Sequence, residues 1–213
     1  GVNNKLFALS AGQRYTLSPN LILEFVRTQH SIIDTVTPVL HTPHGAIVYA
    51  CDFKFDRTPV IGQPPDFARF RQIGKEGVLA LIVESTYIHR PGRCPSERIA
   101  RDLVRDVITS FEDDKNAVIV STFSSHISRV KTIAECAHEI GRKPIFLGRS
   151  MEKYSVAAEQ MKLVSFPETS SVYGNRRTVD RMMRRMMKEG KDKFLPIVTG
   201  HQGEPGSILT RLA

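Results

Sequence analysis

Apolar and polar positions along the 213-residue chain follow two rhythms, and the change falls near residue 93. Upstream, short β-like runs dominate: Lys5–Leu9, Leu21–Gln29, Val36–His41, Ala46–Cys51 and Val78–Glu84. Turn signals such as Ser18-Pro19-Asn20 and Pro43-His44-Gly45 separate them. Downstream, helical spacing takes over. Ser96 precedes a helical pattern from about 97 to 112, with Ile99, Leu103, Val107 and Ile108 on one face. A short strand at 117–120, a helix at 125–141 ending on Gly141 and a strand at 144–147 follow. Helices near 151–163 and 177–188, a strand over Phe194–Thr199 and a helix opening near Gly203 complete the order. Strands alternating with helices at this spacing predict a parallel sheet covered on both faces. Two regions of different character are expected, joined around Tyr87–Pro95, where Pro91, Gly92 and Pro95 suit a linker.

Composition narrows the class. A hydrophobic fraction of 41% supports a real core, and no stretch approaches the roughly eighteen apolar residues that span a bilayer. The N-terminal GVNNKLFALSAG has no basic region leading into an apolar block, so no membrane partner is expected. Three well-separated cysteines, with no CxxC pair, argue against a disulfide framework or a cysteine zinc ribbon, and a reducing, cytoplasmic setting is expected. Thirty Lys and Arg against twenty-two Asp and Glu give a net charge of +8, which favours polyanions such as nucleic acid.

Chemistry concentrates at the ends of the apolar runs. "LILEFVRTQH" closes on His30, and "IVYACDFKFD" closes on Cys51, Asp52 and Asp56. Taken singly, such a histidine is more often a hydrogen-bonded surface or core residue, and such an acid a turn cap. Their order changes the picture: a hairpin of apolar strands meeting at "HTPHG" would return the second strand's end to the neighbourhood of the first. An imidazole and a carboxylate brought together in this way suit zinc or manganese. "VLALIVESTY" ends on Glu84, either a helix cap or an acid that orients a metal-bound histidine or handles a proton.

In the second region, "VIVSTFSSHISRV" crowds Ser121, Thr122, Ser124 and Ser125 at a strand-to-helix junction, with His126 and Arg129 a turn later. This is a seat for a phosphate or an ordinary N-cap with spare hydroxyls. "IVTGHQGEPGS" repeats the arrangement, with Gly200 and Gly203 for close approach and His201 and Gln202 as donors. It lacks the spacing of a nucleotide-hydrolysing P-loop. In "NRRTVDRMMRRMMKEGKDK", Val179, Met182, Met183, Met186 and Met187 form a core-facing stripe, with the arginines and Lys188 on a solvated face; a guiding surface for RNA backbone is the second reading.

Four ordered stretches, "QHSIIDTVTPVLHTPHGAIVYACDFKFD", "LIVESTYIHRPGRCPSE", "STFSSHISR" and "TGHQGEPGSILTRLA", together resemble ribonuclease J, especially its archaeal branch, within the β-CASP group of metallo-β-lactamase-fold nucleases. The resemblance implies an α/β fold: part of a metallo-β-lactamase αββα sandwich over residues 1–93, then an incomplete β-CASP parallel-sheet domain over 94–213. By that resemblance His30 is the third metal-motif histidine, Asp52 the aspartate bridging two zinc ions and Glu84 the first β-CASP acid motif. Asp52 and Glu84 are accordingly the expected catalytic residues, and His30 and Asp52 the expected metal ligands. The glycine usual before that aspartate is Cys51 in this chain.

The implied activity is hydrolysis of RNA phosphodiester bonds, commonly 5′-to-3′ exonucleolytic with some internal cutting, in RNA decay or processing. Two zinc ions are the implied cofactor, with manganese or magnesium as substitutes. Single-stranded RNA is the implied partner, clamped by Ser124, Ser125, His126, Arg129, His201 and Gln202. A homodimer or higher oligomer, and contact with other RNA-decay proteins, are expected by the same resemblance. The family's HxHxDH motif does not occur in the chain. Of roughly seven ligands that a two-metal site of this kind needs, only His30 and Asp52 are in view. An internal portion of a longer enzyme is therefore expected, binding zinc weakly or not at all alone. The alternative is an RNA-binding or assembly module with a degenerate metal site.

Overall fold

The computed structural model describes residues 5–112 and 115–212. The chain divides into two compact units, Gly1–Pro95 and Ser96–Ala213.

The first unit is a five-stranded sheet in the order β1 (Arg14–Ser18), β2 (Leu21–Arg27), β3 (Val36–Thr42), β4 (Gly45–Tyr49), β5 (Val78–Ile82), with helix α1 (Phe67–Glu76) preceding β5. Strands β1 to β4 pair antiparallel, and β5 lies parallel to β4. Alternation sorts the side chains. Val26 on β2, Val39 on β3 and Ala46 and Val48 on β4 are buried together with Ile73 of α1, while Phe70 packs against them. Each of the larger ones contributes about 1.5–3 kcal/mol by leaving water. Asp66 starts α1, its carboxylate accepting from the Arg69 N–H at 2.9 Å. Beyond β4, β5 leaves Val78, Leu79, Leu81 and Ile82 exposed, with Val83 just past its end.

The same buried face carries a charge. Glu24 of β2 accepts from Arg69 Nε at 2.6 Å and Nη2 at 2.8 Å, and lies 2.6 Å from His41 Nε2 and 3.2 Å from Arg14 Nη2. Burial pushes the carboxyl up, but the hydrogen bonds from Arg69 and His41 and the charges of Arg69 and Arg14 outweigh it, drawing it down to about 2. Arg69 also reaches Glu76 at 3.0 Å. One guanidinium thus rivets α1 to the sheet.

The second unit is a four-stranded parallel sheet in the order β6 (Val120–Ser121), β9 (Phe194–Val198), β7 (Lys143–Leu147), β8 (Ser171–Tyr173). Its helices are α2 (Glu97–Thr109), α3 (Ile127–Glu139), α4 (Arg149–Gln160), α5 (Arg176–Glu189) and α6 (Ile208–Leu212). The wholly buried β9 packs Phe194 and Val198 with Ile145, Leu147, Met182 and Met186. The methionine stripe of α5 is therefore core, through Val179, Met182 and Met186, while Met187 is 77% exposed beside the solvated arginines. No helix among the described residues is long and apolar enough to cross a membrane.

Several expected elements differ. Residues Lys5–Leu9 form no strand, and Leu6 and Phe7 are exposed; the strand beside β2 is instead the polar Arg14–Ser18. The 117–120 strand shrinks to Val120–Ser121, and the helix near Gly203 begins only at Ile208. Helix α2 forms as expected, but of its apolar face only Ile108 is buried; Ile99, Leu103 and Val107 are exposed.

Arg69→Met should lower the stability of the first unit by about 3 kcal/mol, because it strands a buried carboxylate with only Arg14 and His41 beside it. Urea unfolding of the two proteins at neutral pH measures this, and a loss below 1 kcal/mol would show that the ion pair is dispensable.

Candidate functional site

Strand direction brings three of the expected residues to one edge. Strand β3 runs against both β2 and β4, and β5 runs with β4, so β2, β4 and β5 finish at the same end of the sheet. His30 follows β2, Asp52 follows β4 and Glu84 follows β5, all three exposed. The Lys54 N–H donates to the Gln29 carbonyl at 2.6 Å, tying the chain just after Asp52 to the chain just before His30. The Ala50 N–H donates to the Ile82 carbonyl at 2.8 Å and extends the β4–β5 pairing toward Asp52 and Glu84.

Aromatic contacts hold the Asp52 loop down. Phe55 packs against Phe53, Phe67 and Phe70 at centroid distances of 4.9, 5.5 and 5.9 Å, anchoring the loop on α1. Asp56, the second acid of the stretch, is buried, accepts from the Thr58 N–H at 3.0 Å and lies 3.9 Å from Lys54 Nζ. It braces the turn. Cys51 adopts φ 47°, the left-handed conformation that a glycine takes without cost. Hydrogen bonds from the Thr86 hydroxyl and N–H hold the Glu84 carboxyl below its ordinary range, and the charge of His30 adds to the shift. His30 Nδ1 lies 3.2 Å from the Ser31 hydroxyl. Among the described residues no group of three or more His, Cys, Asp or Glu side chains is arranged to hold a metal. His30 and Asp52 are two donors at one edge, short of a ligand set.

The second unit gathers its polar loops at the carboxyl ends of adjacent parallel strands, where ligands collect in open α/β sheets. Residues 122–126 follow β6 and residues 199–207 follow β9, its immediate neighbour. The Thr122 N–H donates to the Val198 carbonyl at 2.9 Å and joins the loops at their base. Ser124 is buried, Ser125, His126 and Arg129 are half-buried, and His201 and Gln202 are exposed. Gly200 has φ 117°, and a Cβ there would come 2.3 Å from the Ser207 hydroxyl, so only glycine fits. Glu204 accepts from the Gln202 N–H at 3.2 Å.

Glu97, which no sequence argument marked, organises this edge. It is buried at the start of α2 and accepts from Arg129 Nε at 2.7 Å and Nη2 at 2.9 Å, with His126 Nε2 at 3.5 Å. Burial pushes its carboxyl up; hydrogen bonds from His126 and Arg129, with their charges, more than reverse this and hold it at about 2. Two of the five guanidinium N–H donors expected to face a phosphate are thus spent on a carboxylate, and neither of these is on Nη1. The signal was the Ser96-Glu97 start of a helix, which reads as an ordinary cap.

Because Glu97 falls from an ordinary 4.5 to about 2 on folding, it adds stability above pH 4.5 that is lost as the pH drops through 2. The stability of the second unit should fall by up to about 3 kcal/mol across that window, and Glu97→Gln should flatten the dependence. At the other edge, Cys51→Val should cost about 1–2 kcal/mol while Cys51→Gly should cost nothing, since a positive φ strains any residue with a Cβ, a β-branched one most, and glycine not at all. Chemical denaturation of the two variants compares them directly.

Residues 115–213 match the family described as "Ribonuclease J, beta-CASP domain". The ribonuclease J of Methanocaldococcus jannaschii is 47% identical over 212 residues, covering 100% of this chain and 47% of that protein. That of Pyrococcus abyssi is 41% identical over 212 residues, again with 100% and 47% coverage. That of Thermus thermophilus is 37% identical over 210 residues, with 96% and 34% coverage. The chain therefore spans about half the length, or less, of these curated relatives. Similar to archaeal ribonuclease J along its whole length and carrying that family's β-CASP domain in its second unit, the chain belongs to the ribonuclease J family.

Proposed function

We propose that the chain is part of a metal-dependent ribonuclease that hydrolyses RNA phosphodiester bonds, acting 5′-to-3′ in cytoplasmic RNA decay or processing. The reading is carried by the return of His30, Asp52 and Glu84 to one sheet edge in a chain 47% identical to a ribonuclease J. In it, His30 and Asp52 are two ligands of a centre whose remaining donors lie elsewhere in the longer protein. Zinc is the proposed metal, with manganese or magnesium as substitutes; bound, it would supply Lewis acidity and an activated water. The chain's own residues have simpler tasks. Asp52 offers a carboxylate held by the ring-anchored loop, and Glu84 offers a second, kept ionised by Thr86. Ser125, His126 and Arg129, with His201 and Gln202, meet the phosphates of single-stranded RNA, Arg129 through the nitrogen that Glu97 leaves unclaimed. A homodimer or larger assembly is the proposed state, in contact with other RNA-decay proteins.

A second reading, an RNA-binding or assembly module without catalysis, is favoured by one observation: among the described residues no three donors converge. The two separate by experiment. The chain alone should not cleave RNA in zinc or manganese, whereas the full-length parent should. In the parent, Asp52→Ala should abolish turnover and lower bound zinc, measured by mass spectrometry, while changing RNA affinity less than a few fold. Turnover that survives Asp52→Ala removes this residue from the metal centre, and an inert parent supports the module.

A further inference from the structure

At the end of β6 the usual sorting of side chains is inverted. In Thr122-Phe123-Ser124 the two small polar residues are 8% and 9% exposed, whereas the phenylalanine between them is 51% exposed. Removing a phenyl ring from water is strongly favourable, and burying hydroxyls is not. The backbone leaves no choice of side: the Thr122 N–H is held by Val198 and the Phe123 carbonyl accepts from the His126 N–H at 3.1 Å. Singly exposed apolar residues are ordinary. This one has a partner: the His201 ring stands at 88° to it, with centroids 4.3 Å apart. His201 comes from the loop after β9, so two neighbouring strand ends each contribute one ring to a shelf. Ser125 follows in the same loop and Arg129 lies in the first turn of α3 that continues it.

We propose that Phe123, buttressed by His201, is a stacking platform for an unpaired base of single-stranded RNA. The identity of the ligand rests on the ribonuclease reading above; the platform itself rests on the inverted burial and the ring contact between loops. A perpendicular neighbour props the phenyl ring while leaving aromatic surface open, and every base has a π-face to lay on it. Such stacking is indifferent to sequence and independent of salt, unlike phosphate contacts. A single strand, with bases splayed from the backbone, can use it where a duplex cannot, and the ribonuclease reading makes that strand RNA.

The test compares binding of the full chain to a labelled oligouridylate of about eight nucleotides and to an abasic ribose-phosphate oligomer of equal length. Fluorescence anisotropy should show the base-bearing strand bound roughly tenfold or more tighter. Phe123→Leu, which keeps apolar bulk without the ring, should bring the two affinities together, leaving abasic binding and the salt slope unchanged. Phe123→Tyr should restore the difference. If wild type binds both strands equally, or Phe123→Leu keeps the preference, the platform is overturned while RNA binding stands. If Phe123→Leu weakens both strands alike, the ring merely supports the loop, and the proposal falls. If wild type binds neither strand, the RNA reading fails and takes the platform with it. The wild-type comparison needs no variant, so a Phe123→Leu protein that failed to fold would leave the proposal exposed to refutation.

Discussion

Strand β3 runs against both of its neighbours, and this reversal carries the rest of the first unit. Six residue pairs join β2 to β3, from Ile22 with His41 to Arg27 with Val36, and four more join β3 to β4. Because side chains alternate along a strand, a slip of one residue in either ladder would turn Val26, Val39 and Val48 outward and Glu24 away from Arg69. The register that builds the core is therefore also the register that sends the chain after β2 and the chain after β4 to a common edge. Stability and the position of His30 and Asp52 are set by the same hydrogen bonds.

Each unit repeats one device, a buried carboxylate forked by an arginine from another element. Glu24 grips Arg69 across 45 residues, and Glu97 grips Arg129 across 32. Breaking such a pair is costly because the surviving charge has no water to turn to, so both arginines are fixed in direction as well as in place. In the first unit this orients α1, which carries the phenylalanines beneath the Asp52 loop. In the second it ties the start of α2 to the start of α3, and with it the polar loop between β6 and α3.

What could be read from sequence was whatever depends on local period and order. The strand ends at His30, Asp52 and Glu84 were legible because apolar runs terminate there, and chain order implied their return. The Val179-Met182-Met186 stripe was legible because 3.6-residue spacing marks a buried face. Pairings across the chain were not: nothing in Glu24 names Arg69, and Glu97 looks like a helix-start acid until Arg129 is seen against it. Helix α1 escaped notice because its three large apolar residues, Phe67, Phe70 and Ile73, lie among mostly polar ones. Lys5–Leu9 misled in the opposite way, since apolar composition without a pairing partner makes no strand. Phe123 was hidden by the rule that rings go inside.

Strand β5 has consequences for how the molecule behaves in bulk. Its outer backbone N–H and C=O groups face no neighbouring strand within the described sheet, and its side chains are greasy on both faces. It has neither the lysines nor the prolines with which natural sheets blunt an open border, and its one register irregularity lies at its start, between Val78 and Ala80. Another extended segment can therefore zip onto it, whether from flanking polypeptide or from a second molecule. Where no flanking segment takes that place, crowding in a concentrated preparation drives copies together along this seam, and turbidity rather than unfolding sets the usable concentration.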